Sequence, residues 1–342
     1  MRRMRTRTCA RTPRLTELGL GAAQLGNHAR TTSDEDARGA VDAAWESGVR
    51  YFDTAPHYGL GLSERRLGAA LAQRPRAEYT VSTKVGRLLV PSPETKHLQD
   101  DGGFAVPAAF RRSWDFSRDG ILRSLEGSME RLGLDHIDIV YLHDPDHHWQ
   151  EASTTGVDTL VELRDQGVVK ALGAGMNQAG MLTEFVRRCD VDVVMVAGRH
   201  TLLDHSAQDE LLPLAQERGV GVVAAAVYNS GLLSAPRPPV SATYDYQPAS
   251  RELLGRAAAI ADVCERHDSS LPVAAIAYPL LHPAVTSVVL GARDAVQSRT
   301  NADRLAAPVP DALWEELTRL GLLPEDSAAQ TAGLDAASDA AV

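Results

Sequence analysis

Apolar and polar positions along the chain follow two rhythms. Residues 191–197 and 220–227 are apolar at nearly every position, and shorter runs of the same kind cover 17–25, 49–53, 79–85, 137–142, 169–173 and 286–290. Runs of this length and character read as strands of a parallel sheet buried on both faces. Between them the period becomes helical: Ala37, Ala40, Val41, Ala44 and Trp45 recur on one face, as do Leu122, Leu125, Met129 and Leu132. Ser33, with an acid three residues on, and Ser63 stand where N-caps belong, and Gly48 and Gly133 stand where helices stop. Eight strands, each followed by a helix, predict a single (β/α)8 barrel of the TIM type with an extra C-terminal helix. A doubly wound sheet is the competing topology, but no GxGxxG follows the first strand.

Two connections break the rhythm. Residues 86–117 hold Pro91, Pro93, Pro107, Gly102-Gly103 and a few aromatics, and are expected to form a long loop without regular structure. The loop follows the third strand, so it leaves the C-terminal face, where such barrels build their sites. Residues 234–250 carry Pro236, Pro238, Pro239 and Pro248 and leave the same face after strand seven. At the start, Arg2, Arg3, Arg5, Arg7, Arg11 and Arg14 crowd the first fourteen positions without the apolar stretch of an export signal. The expected organisation is a disordered basic segment over 1–15, a barrel over 16–322, and a disordered Ala/Asp/Ser-rich tail over 323–342.

Composition narrows the class. The 342 residues are 44% hydrophobic and 23% charged, with a net charge of −10. That balance argues against nucleic acid or an anionic membrane as partner and leaves a small-molecule ligand. Cys9, Cys189 and Cys264 fit no metal or redox spacing and suit a reducing cytoplasm, with Cys189 and Cys264 expected to pack in the core. No apolar run approaches the ~18 residues of a membrane span.

The ends of the strands select the chemistry. Strand two ends at Asp53 and runs into Tyr58, strand three ends in Lys84, and strand four in His143, so four polar side chains converge on one rim. A tyrosine hydroxyl beside an ammonium, with an imidazole to orient a substrate oxygen, is a proton donor and acceptor for carbonyl–alcohol interconversion. The ammonium is expected to favour the phenolate. No nucleophile or electron sink is present, so a redox step calls for a hydride-carrying cofactor. His143, Asp144, His147 and His148 raise a metal-hydrolase alternative, but strands five to eight offer Asn177, Arg199, Tyr228 and Arg293 rather than further ligands. No metal is expected.

The run from Val49 to Gly59 with Ser63-Glu64, the run from Ser82 to Gly86, and the run from Arg131 to Val140 leading into His143 resemble the aldo-keto reductase superfamily. The resemblance extends from about residue 18 to 320. It implies a tetrad of Asp53, Tyr58, Lys84 and His143, and NAD or NADP as cofactor. Asp115-Phe116-Ser117, the run His143 to Asp146, the run Gly173 to Gln178 and the run Asn229 to Leu233 look like the sugar 1-dehydrogenase branch, which includes D-threo-aldose and L-galactose dehydrogenases. Pyridoxal 4-dehydrogenase looks similar. All oxidise a cyclic hemiacetal to a lactone, so a sugar or pyridoxal-like substrate is expected. Some relatives are non-catalytic nucleotide-binding subunits, against which the complete tetrad argues.

By the same resemblance Asn177 would bond the nicotinamide carboxamide. Asn229, Ser230, Gly231 and Leu232 would lie over the pyrophosphate, and Gly291, Arg293, Gln297 and Asn301 would meet the adenosine end. Three positions depart from the family: Met176 replaces a serine, Val196-Ala197-Gly198-Arg199 lacks the usual glutamine, and Ala225 stands for a stacking tyrosine, with Tyr228 three residues on. Gly291 and Gln297 also occupy the positions of the lysine and arginine that grip a 2′-phosphate in NADP-preferring relatives, so NAD is the expected cofactor. Arg293 and Arg299 are the residues able to replace that grip. Trp114 and Trp149 are expected to wall the substrate, while Arg199 and His200 are left between solvent and the cofactor rim.

Overall fold

The computed structural model describes residues 4–245 and 247–325. Eight parallel strands close into a barrel in chain order: β1 (Leu18–Gly21), β2 (Tyr51–Asp53), β3 (Thr80–Val85), β4 (Ile139–His143), β5 (Ala171–Met176), β6 (Val193–Ala197), β7 (Gly221–Ala225) and β8 (Val285–Gly291). Each lies within one of the runs picked out by apolarity, or extends it by one to three residues. Around the barrel run α1 (Asp34–Glu46), α2 (Leu62–Leu71), α3 (Arg118–Leu132), α4 (Val157–Asp165), α5 (Ala179–Arg188), α6 (Leu211–Arg218), α7 (Arg251–Arg266), α8 (Leu271–Ala277) and α9 (Ala295–Ala306), with α10 (Asp311–Arg319) as the extra C-terminal helix. No helix among the described residues is long and apolar enough to cross a membrane.

Strand alternation decides what faces the barrel axis. Tyr51, Ile139, Tyr141, Val193, Met195, Val223 and Val289 pack with Leu15 as the inner core. Their neighbours Phe52, Val140, Leu142, Val194 and Val222 turn outwards and pack under the helices. Because side chains alternate with period two, Tyr51 inside places Asp53 inside, and Tyr141 inside places His143 inside. Register then aligns them: Asp53 pairs with Ser82, Lys84 with Tyr141, and His143 with Gly175.

Ser33 caps α1 by accepting from Asp36 N at 3.0 Å, and Ser117 caps α3 by accepting from Gly120 N. Ser63 does not cap α2. It lies inside the helix, fully buried, where its hydroxyl donates to Ala22 O at 2.6 Å.

The long connection after β3 is not structureless. Arg87–Pro91 and Phe110–Trp114 pair as an antiparallel hairpin over the C-terminal rim. Its 92–109 stretch folds back so that Phe104 and Val106 pack with Leu60 against Tyr58, Leu62, Leu89 and Phe110. The 234–250 connection likewise carries a two-residue ladder, Thr243–Tyr244 with Gln247–Pro248.

The basic start is not disordered over residues 4–15. Thr6–Arg7 pairs with Leu15–Thr16 as a hairpin across the opposite end of the barrel, and Leu15 plugs the inner core. Two of its arginines are neutralised in place: Arg7 bonds Glu17 at 2.8 Å and Arg11 bonds Asp190. At the other end Leu323 is buried with Leu313, Trp314 and Leu317, so residue 323 belongs to the packed body. The tail expected from 323 otherwise falls largely on 326–342, outside the described residues.

Candidate active site

Asp53, Lys84 and His143 project from three adjacent strand ends, and the loop after β2 brings Tyr58 over them. Lys84 Nζ donates to Asp53 Oδ2 at 2.7 Å and to Thr54 O at 3.0 Å. Both partners of this ion pair are almost wholly buried, at 2% and 3% exposure. The second carboxylate oxygen accepts from Ser82 Oγ at 2.6 Å, and Ser82 meets Tyr51, which meets Tyr141. The aspartate is thus fixed from below by a ladder of hydroxyls.

Tyr58 lies with its ring centroid 4.9 Å from Lys84 Nζ and 6.0 Å from the His143 ring, the two rings edge to face. Its loop is set by a close approach: at Gly59, φ +63, an added Cβ would sit 2.2 Å from Gly26 O. Only glycine lets the loop turn there and press on the loop after β1. The neighbouring motif residues are structural. Buried Glu64 accepts from Thr83 Oγ1 at 2.9 Å and from Arg131 Nε at 2.6 Å, tying α2 to β3 and α3.

Burial dominates the electrostatics. It pushes the Tyr58 hydroxyl above its ordinary value of 10, and the Lys84 ammonium only partly offsets this. Lys84 favours the phenolate as expected, but burial outweighs it and the neutral phenol is the resting form. Burial also works against the Lys84 charge, but Asp53 and Tyr58 outweigh it and hold the amine above its usual range. His143 is driven well below its usual value, first by burial and then by Lys84 and Arg87, so the imidazole is neutral. Its Nδ1 is buried without a partner, and its Nε2 lies 3.6 Å from Asp144 Oδ2.

Beside this group a cleft of about 620 Å³ opens between the hairpin and the ends of β4 and β5. Its walls include Trp114, Arg87, Asp144, Asp146, His148 and Asn177. Arg87 lies over the Trp114 ring at 4.4 Å and bonds Asp144 at 3.2 Å. Trp114 is 37% exposed and stacks on Phe116. Trp149 is not part of this wall. It turns away and meets Phe185 edge-on at 4.8 Å, in the layer between strands and helices, and His148 takes the place beside Trp114 instead. Among the described residues no three His, Cys, Asp or Glu side chains gather as metal ligands would.

The residues assigned to a dinucleotide follow the rim from β5 to β8. Asn177 is exposed at the end of β5, and its carbonyl accepts from Arg199. Asn229, Ser230 and Gly231 adopt left-handed conformations in succession, φ 43, 58 and 95. Asn229 is 3% exposed and leaves Oδ1 buried without a partner. Leu232 is fully buried in the core beneath α7 and α8, so only its backbone can serve this loop. Asn301 is buried and bonds Gly291 O at 3.3 Å, while Tyr228 accepts from Arg304. Gln297 Oε1 accepts from Arg293 N, and Asp294 caps α9 through Gln297 N at 2.8 Å. The orphaned Asn229 carboxamide oxygen and a left-handed turn of backbone along one rim fit a dinucleotide.

Four positions that the sequence leaves open are placed by the structure. Arg293 does not swing free: its guanidinium bonds His28 O, Arg30 O and Thr32 Oγ1. Arg299 reaches Glu46 at 3.5 Å instead. Arg199 bridges Asp204 and Asp245, and His200 lies buried against Tyr278, away from the rim. Sequence reasoning missed Arg87, Arg112 and His57, whose roles depend on the hairpin.

Residues 17–321 match the model of the aldo/keto reductase family. A D-threo-aldose 1-dehydrogenase from a Pseudomonas species is 48% identical over 310 residues, covering 90% of this chain and 94% of that protein. A pyridoxal 4-dehydrogenase from Microbacterium luteolum is 38% identical over 328 residues, covering 90% and 95%. Among solved structures, the holo form of an aldo-keto reductase from Bacillus halodurans superposes with a TM-score of 0.71 at 26% identity, covering 93% of this chain and 96% of that one.

Proposed function

The chain belongs to the aldo/keto reductase family, an oxidoreductase using NAD(P), and from that premise we propose that it oxidises the hemiacetal carbon of an aldose to a lactone. What carries the reading is the cleft that opens next to His143, between the hairpin and the ends of β4 and β5. A partly exposed indole edge lies among a guanidinium, two carboxylates, two imidazoles and two carboxamides, a lining suited to the hydroxyls of a sugar ring. The likeness to a D-threo-aldose 1-dehydrogenase over nearly the whole chain supports the same substrate class.

The bound dinucleotide supplies the hydride acceptor. The chain's own part is the proton. Tyr58 takes the anomeric hydroxyl proton as the carbonyl of the lactone forms. Lys84, held charged by Asp53, stabilises the phenolate that must form first. Neutral His143 orients the reacting oxygen. NAD is the proposed cofactor, because Gly291 and Gln297 offer no cation and Arg293 and Arg299 are both committed elsewhere. Three unpaired cysteines suit a reducing cytoplasm.

The test is a panel of aldoses and pyridoxal with NAD and with NADP, read as kcat/KM. The reading requires D-threo-configured aldoses to exceed pyridoxal, and NAD to exceed NADP by about tenfold or more, the worth of one or two solvated charge pairs. Turnover of pyridoxal alone would move the assignment to the other relative.

A further inference from the structure

His57 stands one residue before Tyr58, and the hairpin reaches over to hold it. Arg112 Nε donates to His57 Nδ1, and Arg112 Nη2 donates to His57 O at 3.2 Å. Asp100 grips the same guanidinium with both oxygens, at 2.5 and 2.9 Å, and is itself buried. A guanidinium can only donate, so the nitrogen that receives it carries no proton. In a neutral imidazole the proton then sits on Nε2. The ring does stay neutral: burial first, then Arg87, Arg112 and Lys84, push its pKa down to about 2. Among the described residues Nε2 meets no partner, and it is not sealed from solvent. The ring lies 6.0 Å from that of Tyr58 and 5.6 Å from that of His143, and Phe104 closes its other side at 5.1 Å.

We propose that His57 is a specificity-determining hydrogen-bond donor. Its Nε2–H, fixed by Arg112 and Asp100, binds the substrate hydroxyl on the carbon next to the reacting one. The proposal rests on the aldose reading above, since only a polyhydroxylated substrate offers that oxygen. His57 touches substrate, whereas Arg112 acts through His57 as a positioning residue. The long connection after β3 thereby acts at the reacting end of the site by setting which nitrogen of one histidine bears a proton.

Two measurements on the full chain test this. In the first, ¹⁵N-histidine spectra of the unliganded protein are expected to show His57 as the Nε2–H tautomer, and Arg112→Met is expected to yield a tautomer mixture. In the second, kinetics compare an aldose with its 2-deoxy counterpart. A neutral hydrogen bond corresponds to about a 3- to 10-fold preference. His57→Phe is expected to abolish that preference through KM, with kcat held within about threefold, and Arg112→Met to reduce it partway. Should His57→Phe not fold, Arg112→Met carries the same comparison. An Nδ1–H tautomer in the parent protein, or equal losses on both sugars in either variant, would overturn the proposal. Turnover of no aldose at all would remove the reading on which it stands, a result distinct from aldose turnover indifferent to His57.

Discussion

Tyr58 is where two opposing influences meet. Burial raises its hydroxyl above 10 and Lys84 pulls it down, and burial wins. Oxidation needs the ionised phenol, so its rate should climb through pH 7–10 towards tenfold per unit with no plateau below pH 10. A level kcat/KM across that range would exclude Tyr58 as the rate-limiting proton acceptor. Tyr58→Phe should cost kcat about 10²- to 10⁴-fold while the dinucleotide Kd, followed by fluorescence, changes little. Lys84→Met should destabilise the fold by about 3–5 kcal/mol, because it strands the Asp53 carboxylate in the barrel. Adding Asp53→Asn should restore most of that loss, as a urea titration of the double variant would show. Asp53, Lys84 and His143 were legible because they stand at the ends of apolar runs, and the strand ends of such a barrel share one rim. Trp149 was misplaced because it opens a helical segment that runs through a π-turn into α4, and sequence does not show which way the first residue of such a segment faces. His57 and Arg112 gave no signal, being 55 residues apart and joined only by the hairpin.

The hairpin is the element that the hydrophobic pattern failed to reveal. Its strands are five residues each, half-buried, and separated by 92–109, so neither shows the double-sided burial that marked the barrel strands. Pro91 closes one strand and hides it further. Pairing between them, rather than any local preference, makes the structure. Beside the polar ties of Arg112 to His57 and Arg87 to Asp144, its apolar hold on the rim is small and centred on Phe104. Phe104→Ala should therefore loosen this element alone, at a local cost of about 3–5 kcal/mol. Amide exchange across 87–114 should rise by at least about tenfold, KM should increase, and the melting temperature should hardly move. A melting temperature that falls while exchange in the hairpin stays slow would mean that it unfolds only with the barrel.

For the molecule as a whole, buried neutral histidines set the acid limit. Burial lowers His200 to about 3, and His205 and His282 to about 4, around Tyr278 beneath α7 and α8. The unfolded chain protonates these rings near pH 6.5, the folded chain only far below it. Their contribution is thus complete above pH 6.5 and drains away as pH falls towards 4, at about 1.4 kcal/mol per unit for each ring. His200→Phe should flatten the slope of unfolding free energy against pH by about one proton in that window. An unchanged slope would mean that the ring is already charged in the fold. The barrel's seam has a further consequence, for the order of assembly. Seven of the eight strand pairings join consecutive strands, but β1 must wait for β8. Across the same seam Val288 N bonds Glu17 O, and Arg7 bonds the carbonyls of Leu280 and Val285. A chain emerging from the ribosome therefore carries an unpaired β1 edge until residues 280–291 are free. That edge is a standing invitation to pair with another nascent chain, and the short length of β1, four residues with two glycines, keeps the exposed edge small and the wrong partner weak.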